Sequence, residues 1–403
     1  MQQHRRLVYT CYMSYFSHAV LNNLPALLFA LLHANYGLSF EQLGRLVFIN
    51  FGTRLLIDGL AIRLADKIGY RACLISAHIF AALGLLLFSG LPAVLPQEHV
   101  LLGLSLTMVV FSAGGGLIQV LISPIINQIS DQLPPGAMIL LHSTYPWGTV
   151  ITIAVTTLAL WLTPEHLWHV IPIAWMVIPL ITLWGFITAP MAEPRMSETP
   201  TMTLRELSRM PSFWTTCGLM PLAGMTEAGM AQWGSVFIEK ALMFPKIMGD
   251  LIGPMVASLI MATIRMTFPR WSKKLPLEKV LRVAAAGSAV CFAAAALIPR
   301  PVFALAAITC SGIFIAMLWP GTVLRSAERF TNGGTPMFGM LSLGGDIGAA
   351  AGPWIIGVVS DRASLHGGML SGALFPLGYL ALLLVDQRNS KKDERNKHID
   401  RLG

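Results

Sequence analysis

Few side chains in this 403-residue chain carry charge, and those that interrupt long apolar runs have the most chemistry to offer. Glu227 sits in the middle of such a run, followed on neighbouring helix faces by Gln232 and Trp233. An ionisable group at that depth costs several kcal/mol and is a functional candidate by default. A carboxylate beside a partly dry cleft can take up and release a proton, which makes Glu227 the first candidate for proton coupling. Its structural alternative is a carboxylate neutralised by a helix terminus or an arginine. Asp346 lies among Gly344, Gly345, Gly348 and Gly352. It is a second candidate for a proton or solute contact, or else a packing device where helices approach closely. His142, Tyr145 and Trp147 cluster around Pro146; a histidine titrates in the useful range, yet a lone one also serves as a packing residue. Asn22, Asn23 and Gln119 offer donors and acceptors without charge, as a hydroxyl-rich solute requires, with Trp147, Trp233 or Trp319 as an apolar face for a ring. The bland reading of the amides is interhelical glue.

These residues need a frame, and composition supplies it. Apolar residues make up 55% and charged residues only 12%, about half the charge of an ordinary soluble domain, so a soluble enzyme is nearly excluded. The mean hydropathy of +0.65 requires lipid as solvent. Apolar runs long enough to span fall at 9–33, 43–63, 72–95, 99–125, 137–162 and 166–189. A second set falls at 213–238, 246–268, 279–299, 301–324, 336–359 and 367–385. The expected fold class is an all-α membrane protein with twelve transmembrane helices in two six-helix bundles. Residues 1–189 form the first bundle, 190–211 a cytoplasmic linker, 212–385 the second bundle and 386–403 a cytoplasmic tail. Within the linker, Thr203–Met210 (TLRELSRM) is expected as a short amphipathic helix on the membrane. Asn22, Asn23 and Pro25 make the first run unlike a cleaved signal peptide, so it is expected to be a retained span. Lys and Arg concentrate on the side of the N-terminus (Lys67, Arg71, Arg205, Arg270, Lys273, Arg325 among them), which places both termini in the cytoplasm and the net charge of +8 against an anionic leaflet rather than nucleic acid. Cys11, Cys73, Cys217, Cys291 and Cys310 show no paired or metal-binding spacing, and no phosphate-cradling loop appears, so no metal, cofactor or ATP is expected.

The halves also repeat. Arg54 with Arg71, and Arg265 with Arg282, have the same separation in the second span of each half, with basic residues filling the loop between. Asp58, one turn beyond Arg54, is placed to pair with it. Arg54, Asp58, Asp66, Lys67 and Arg71 are therefore expected to brace a cytoplasmic gate rather than touch solute. The segment from Ile62 to Arg71 (Ile-Arg-Leu-Ala-Asp66-Lys67-Ile-Gly69-Tyr-Arg71) resembles the loop signature of the major facilitator superfamily between its second and third helices. It departs at Ile62, where that family has glycine, and at Tyr70. Finer similarity is to the fucose-permease-like sugar branch. It is carried by Thr226-Glu227…Gln232-Trp233, by Gly344-Gly345-Asp346-Ile347-Gly348 running to Gly352-Pro353, and by Leu141-His142. That permease is expected to carry acids on its first and fourth helices, where this chain has Asn22, Asn23 and Gln119, so no proton site transfers to them.

The resemblance implies a multi-pass transporter of the inner or plasma membrane, expected to be a monomer. It would work by alternating access and bring in a small polar solute, a sugar or sugar derivative, with protons. Proton-driven efflux is the rival within transporters. The Gly-x-x-x-Gly-Pro-x-x-Gly-Gly run of antiporters is missing from the fifth span, and a similar run, Gly348…Gly352-Pro353…Gly357, lies on the eleventh. A membrane solute sensor is the rival of another class, disfavoured by so short a tail; an enzyme would need a clustered acid, base or metal set at one face.

Overall fold

The structure is a computed structural model that describes residues 2–128, 137–191, 202–271, 275–330 and 333–399. Among them there is helix and turn but no strand. The first half holds α1 (Gln2–Tyr36), α2 (Phe40–Ile68), α3 (Tyr70–Val94), α4 (Val100–Gln128), α5 (Ala137–Leu162) and α6, in two pieces (Val170–Trp175 and Val177–Thr188). After the linker come α7 (Pro211–Val236), α8 (Lys246–Asp250, a wider-wound Leu251–Met255, then Val256–Trp271) and α9 (Leu277–Leu297). The second half closes with α10 (Pro301–Ile315 and Leu318–Arg329), α11 (Gly334–Arg362) and α12 (Leu365–Gly372 and Leu374–Ile399). Among the described residues the helices thus follow the order of the twelve expected spans, several of them in two or three pieces.

Ten of these rods are long and apolar enough to cross a bilayer by composition; α2 and α7 fall short. The reason is chemical: α2 carries Arg45, Arg54 and Asp58, and α7 carries Glu227, Gln232 and several hydroxyl residues. Large apolar side chains such as Leu102, Leu106, Trp161 and Trp184 point outward, as lipid contact requires.

Proline sets the breaks. The interruptions of α6, α10 and α12 each fall just ahead of Pro179, Pro320 and Pro376, whose rings have no N–H for the carbonyl one turn back. In α10 the carbonyl freed is that of Ala316, and the Arg265 Nε–H takes it at 2.9 Å. Glycine sets the close approaches. Three consecutive glycines of α4 each yield to a different neighbour. A Cβ on Gly114 would lie 2.5 Å from the Ala77 carbonyl of α3, one on Gly115 would lie 3.4 Å from the His18 ring of α1, and one on Gly116 would lie 3.0 Å from Asp58 Oδ1 of α2. On α11, Gly345, Gly348 and Gly352 accept Trp319, the Pro221 carbonyl and Met225 in the same way.

The linker helix forms over Leu204–Ser208, within the expected Thr203–Met210 segment. It starts on a capping box in which the Thr203 hydroxyl accepts the Glu206 N–H and the Glu206 carboxylate accepts the Thr203 N–H at 2.7 Å. The Thr203 N–H, with the Thr203 hydroxyl donating to the same carboxylate at 3.0 Å, holds the exposed Glu206 carboxyl below its usual range.

Candidate functional site

The face of the molecule that bears the N-terminus is called here the terminal side, and the opposite face the far side. Arg54 is at the centre of α2, midway between them, not at the terminal end. It is buried, at 5% exposure. Its expected partner was Asp58 on its own helix; the partner found is Asp346 of the other half. Arg54 donates to Asp346 Oδ1 at 2.8 Å and to Asn22 Oδ1 of α1 at 3.1 Å, and its guanidinium lies over the Phe51 ring at 4.2 Å. Asp346 is 1% exposed. Asp58 faces Asp346 and accepts a longer bond from Gln119 Nε2 of α4 at 3.4 Å. Three atoms in this group are buried without a hydrogen-bond partner among the described residues: Arg54 Nε, Asp58 Oδ1 and Asp346 Oδ2. Two carboxylates thus lie beside one guanidinium, which is bonded to Asp346 across the boundary between the halves and has no hydrogen bond to Asp58.

Asn22 is the hub around it. Its Nδ2 donates to Tyr145 Oη of α5 at 3.2 Å and lies 3.2 Å from His18 Nε2, while its backbone carbonyl accepts Gln232 Nε2 of α7 at 3.3 Å. Asn23 instead bonds the Ala19 carbonyl at 2.7 Å and Thr149 Oγ1 at 3.1 Å, which ties α1 to α5. Glu227 has the structural partner foreseen as its alternative. Arg265 of α8 donates to it at 2.8 Å, and both side chains are a quarter exposed. Tyr145, bonded to Asn22, lies on α5 near both Arg54 and Glu227.

The aromatic residues divide. Trp233 is 1% exposed, gives its N–H to the Pro353 carbonyl at 2.8 Å and packs against Phe29 and Phe40. It seals the halves on the far side and presents no open face to a ring. Trp319 covers Gly345, beside Asp346. Trp147 is 45% exposed and sits apart from the cluster. Arg71 bonds the Phe186, Ile187 and Ala189 carbonyls, so it caps the end of α6 within its own half. Lys67 is exposed. The side chains of His142 and Asp66 lie outside the described residues.

Two further carboxylates escaped the reading of the sequence. Asp361, at the end of α11, accepts the Phe40 N–H at 2.9 Å and the Glu41 N–H at 2.6 Å. Ser39 accepts the Gln42 N–H, so the first turn of α2 is capped partly by its own chain and partly by the other half. Trp354 adds a bond to Glu41 Oε1 at 3.0 Å. Asp250, fully buried near the start of α8, accepts Thr157 Oγ1 of α5 at 2.9 Å and also bonds Ser235; Lys246 lies 3.1 Å from it. An acid just inside an apolar run was the available signal for Asp250. These contacts clasp the halves on the far side, beneath a cavity of about 240 Å³ lined by Ala30, Leu31, Trp168, Glu239, Lys240 and Lys246.

Comparison with known proteins agrees with this architecture. Residues 11–335 match the family model of the Major Facilitator Superfamily, so the chain belongs to that family of transporters, not to the enzymes. The fold is shared with the nucleoside transporter NupG, at a TM-score of 0.72 and 13% identity over 96% of this chain and 99% of that one. It is shared with a D-xylose-proton symporter (TM-score 0.75, 14% identity, 94% and 96% covered) and with a bacterial homolog of the human lysosomal transporter Spinster, inward-facing and occupied (0.75, 13%, 96% and 97%). No curated protein matches the chain in sequence.

Proposed function

We propose that this transporter carries a small hydroxyl-rich solute, a sugar, nucleoside or related compound, together with a proton. The observation that carries the reading is the pair of carboxylates, Asp58 and Asp346, beside the single guanidinium of Arg54. Arg54 can neutralise one of Asp58 and Asp346, and the second carboxylate is left at mid-membrane with an unbonded buried oxygen. A proton on that second carboxylate makes the group neutral, and a neutral group crosses between its two exposures at far lower cost than a charged one. The coupling site is thus Asp58 and Asp346 with Arg54, and the charge of Glu227 is taken by Arg265. Gln119, Tyr145 and the Glu227–Arg265 pair are each only partly covered and would front the solute. The overall likeness to a nucleoside transporter and a xylose-proton symporter supports this class of solute. The Glu227-to-Trp233 and Gly344-to-Pro353 segments support a place near the fucose-permease-like branch. The clasped far side, with the basic loops on the terminal side, supports an inward-facing state with both termini cytoplasmic, in the inner or plasma membrane.

Proteoliposomes with an imposed pH gradient, offered labelled D-xylose, L-fucose and uridine, test the reading. Wild-type protein is expected to accumulate at least one probe when the outside is acidic. Asp346→Asn should lose gradient-driven accumulation while still exchanging probe for probe. Accumulation by that variant equal to wild type would overturn the coupling role. Accumulation only under the inverted gradient would make the protein an exporter.

A further inference from the structure

The two halves treat their equivalent arginines differently. In the second half, Arg265 of α8 is held at 2.8 Å by a carboxylate of its own bundle, Glu227 on α7. In the first half, Arg54 of α2 is held at 3.1 Å by its own bundle's α1, but through the neutral amide of Asn22. The geometry of the two contacts is alike; only the charge differs. A guanidinium facing a carboxylate has its charge satisfied locally, whereas one facing an amide keeps its charge for another partner. Arg54 spends it across the boundary, on Asp346 at 2.8 Å.

From this we infer that Asn22 is a positioning residue whose neutrality decides that Arg54 joins the two halves. The inference rests on the coupling site proposed above and assigns Asn22 a part in it different from binding solute. The amide of Asn22 has little left to offer a solute: Oδ1 is given to Arg54, Nδ2 to Tyr145 and His18, and the residue is 7% exposed. The titratable and charged groups around it are His18 on α1, Arg54 and Asp58 on α2, Tyr145 on α5, Glu227 on α7 and Asp346 on α11. A carboxylate in place of the amide would compete for Arg54 from within the first half, as Glu227 does for Arg265. The bond to Asp346 would weaken, and an extra acid would crowd the single guanidinium.

The test uses full-length protein in lipid nanodiscs, with spin labels at Val94 and Val302, exposed far-side positions of α3 and α10, in a Cys310→Ser background. The distance between labels is followed from acid to alkaline pH. Asn22→Asp should raise the population with the far side open on the order of tenfold at neutral pH, the scale of a typical coupling between sites, and should move the pH midpoint upward. Asn22→Ala loses the amide donors as Asn22→Asp does, and the acceptor for Arg54 besides, without adding charge. It should lower the melting temperature and leave the midpoint in place. The inference fails if Asn22→Asp and Asn22→Ala shift the midpoint alike, or if Asn22→Asp tracks wild type. A wild type whose distance ignores pH would sink the proton-coupled reading instead. Asn22→Asp would then still have to open the far side relative to Asn22→Ala for its own role to stand.

Discussion

Arg54 and Arg265 occupy matched places in the sequence, yet they do unlike things because their neighbours differ by a charge. Glu227 and Arg265 form a closed account: each neutralises the other within the second bundle. Glu227→Gln would leave an arginine without its anion among α7, α8 and the Ala316 carbonyl. Removing one member of a buried pair costs about 3–5 kcal/mol; here each partner is a quarter exposed, so a loss on the order of 1–2 kcal/mol is expected. It would appear as a lower melting temperature in detergent and lower yield, and Glu227→Gln with Arg265→Gln should recover much of it. Unaltered stability in the single variant would show that water, not Glu227, satisfies Arg265. Loss of transport in Glu227→Gln with stability intact would instead return Glu227 to the coupling site.

Among elements, the pairing of α2 with α11 dominates the boundary between the halves. Gly44 lets the backbone of α11 approach, since a Cβ there would lie 3.0 Å from the Pro353 carbonyl and from Trp354 Cα. Just beyond, Asp361 supplies the helix start of α2 with acceptors from the other bundle. A cap normally stabilises its own helix; this one also ties the opening of the far side to the loss of two bonds. Asp361→Ala should leave α2 intact, because Ser39 and Gln42 still form the local capping box. It should weaken far-side closure by about 1 kcal/mol, the usual worth of a cap. The Val94–Val302 label pair would report this as a larger open fraction. No change in that distance would show that Asp250 and the apolar layer around Trp233 hold the far side without help.

At the scale of the whole molecule, a transporter of this family works only if the two bundles rock against each other around a fixed site. Phe48→Cys with Trp354→Cys, in the Cys310→Ser background, replaces two exposed rings 5.4 Å apart across α2 and α11 with two thiols. Oxidation should abolish uptake of whichever probe the wild type accumulates, and reduction should restore it. Full uptake by the cross-linked protein would mean that α2 and α11 need not part during transport.

Much of this was legible without coordinates. The number and order of spans, the linker helix and the two matched arginines follow from local pattern, because a bilayer demands unbroken apolar runs and every polar intrusion stands out against them. The same reading found Asn22, Gln119, Glu227, Gln232 and Asp346 as the unusual residues of their spans. What it did not assign were the partners. Arg54 was matched to Asp58 because they share a helix, whereas its anion comes from a segment almost three hundred residues later. Trp233 looked like a sugar platform until its ring was found sealed against Phe29 and Phe40. Asp361 escaped notice because its role depends on the start of a helix in the other bundle. Sequence alone determined which groups had to be buried, since burial is fixed by the solvent each run must face. Which charge answers which was decided only by the tertiary fold, because Coulomb attraction depends on distance in space and not on separation along the chain.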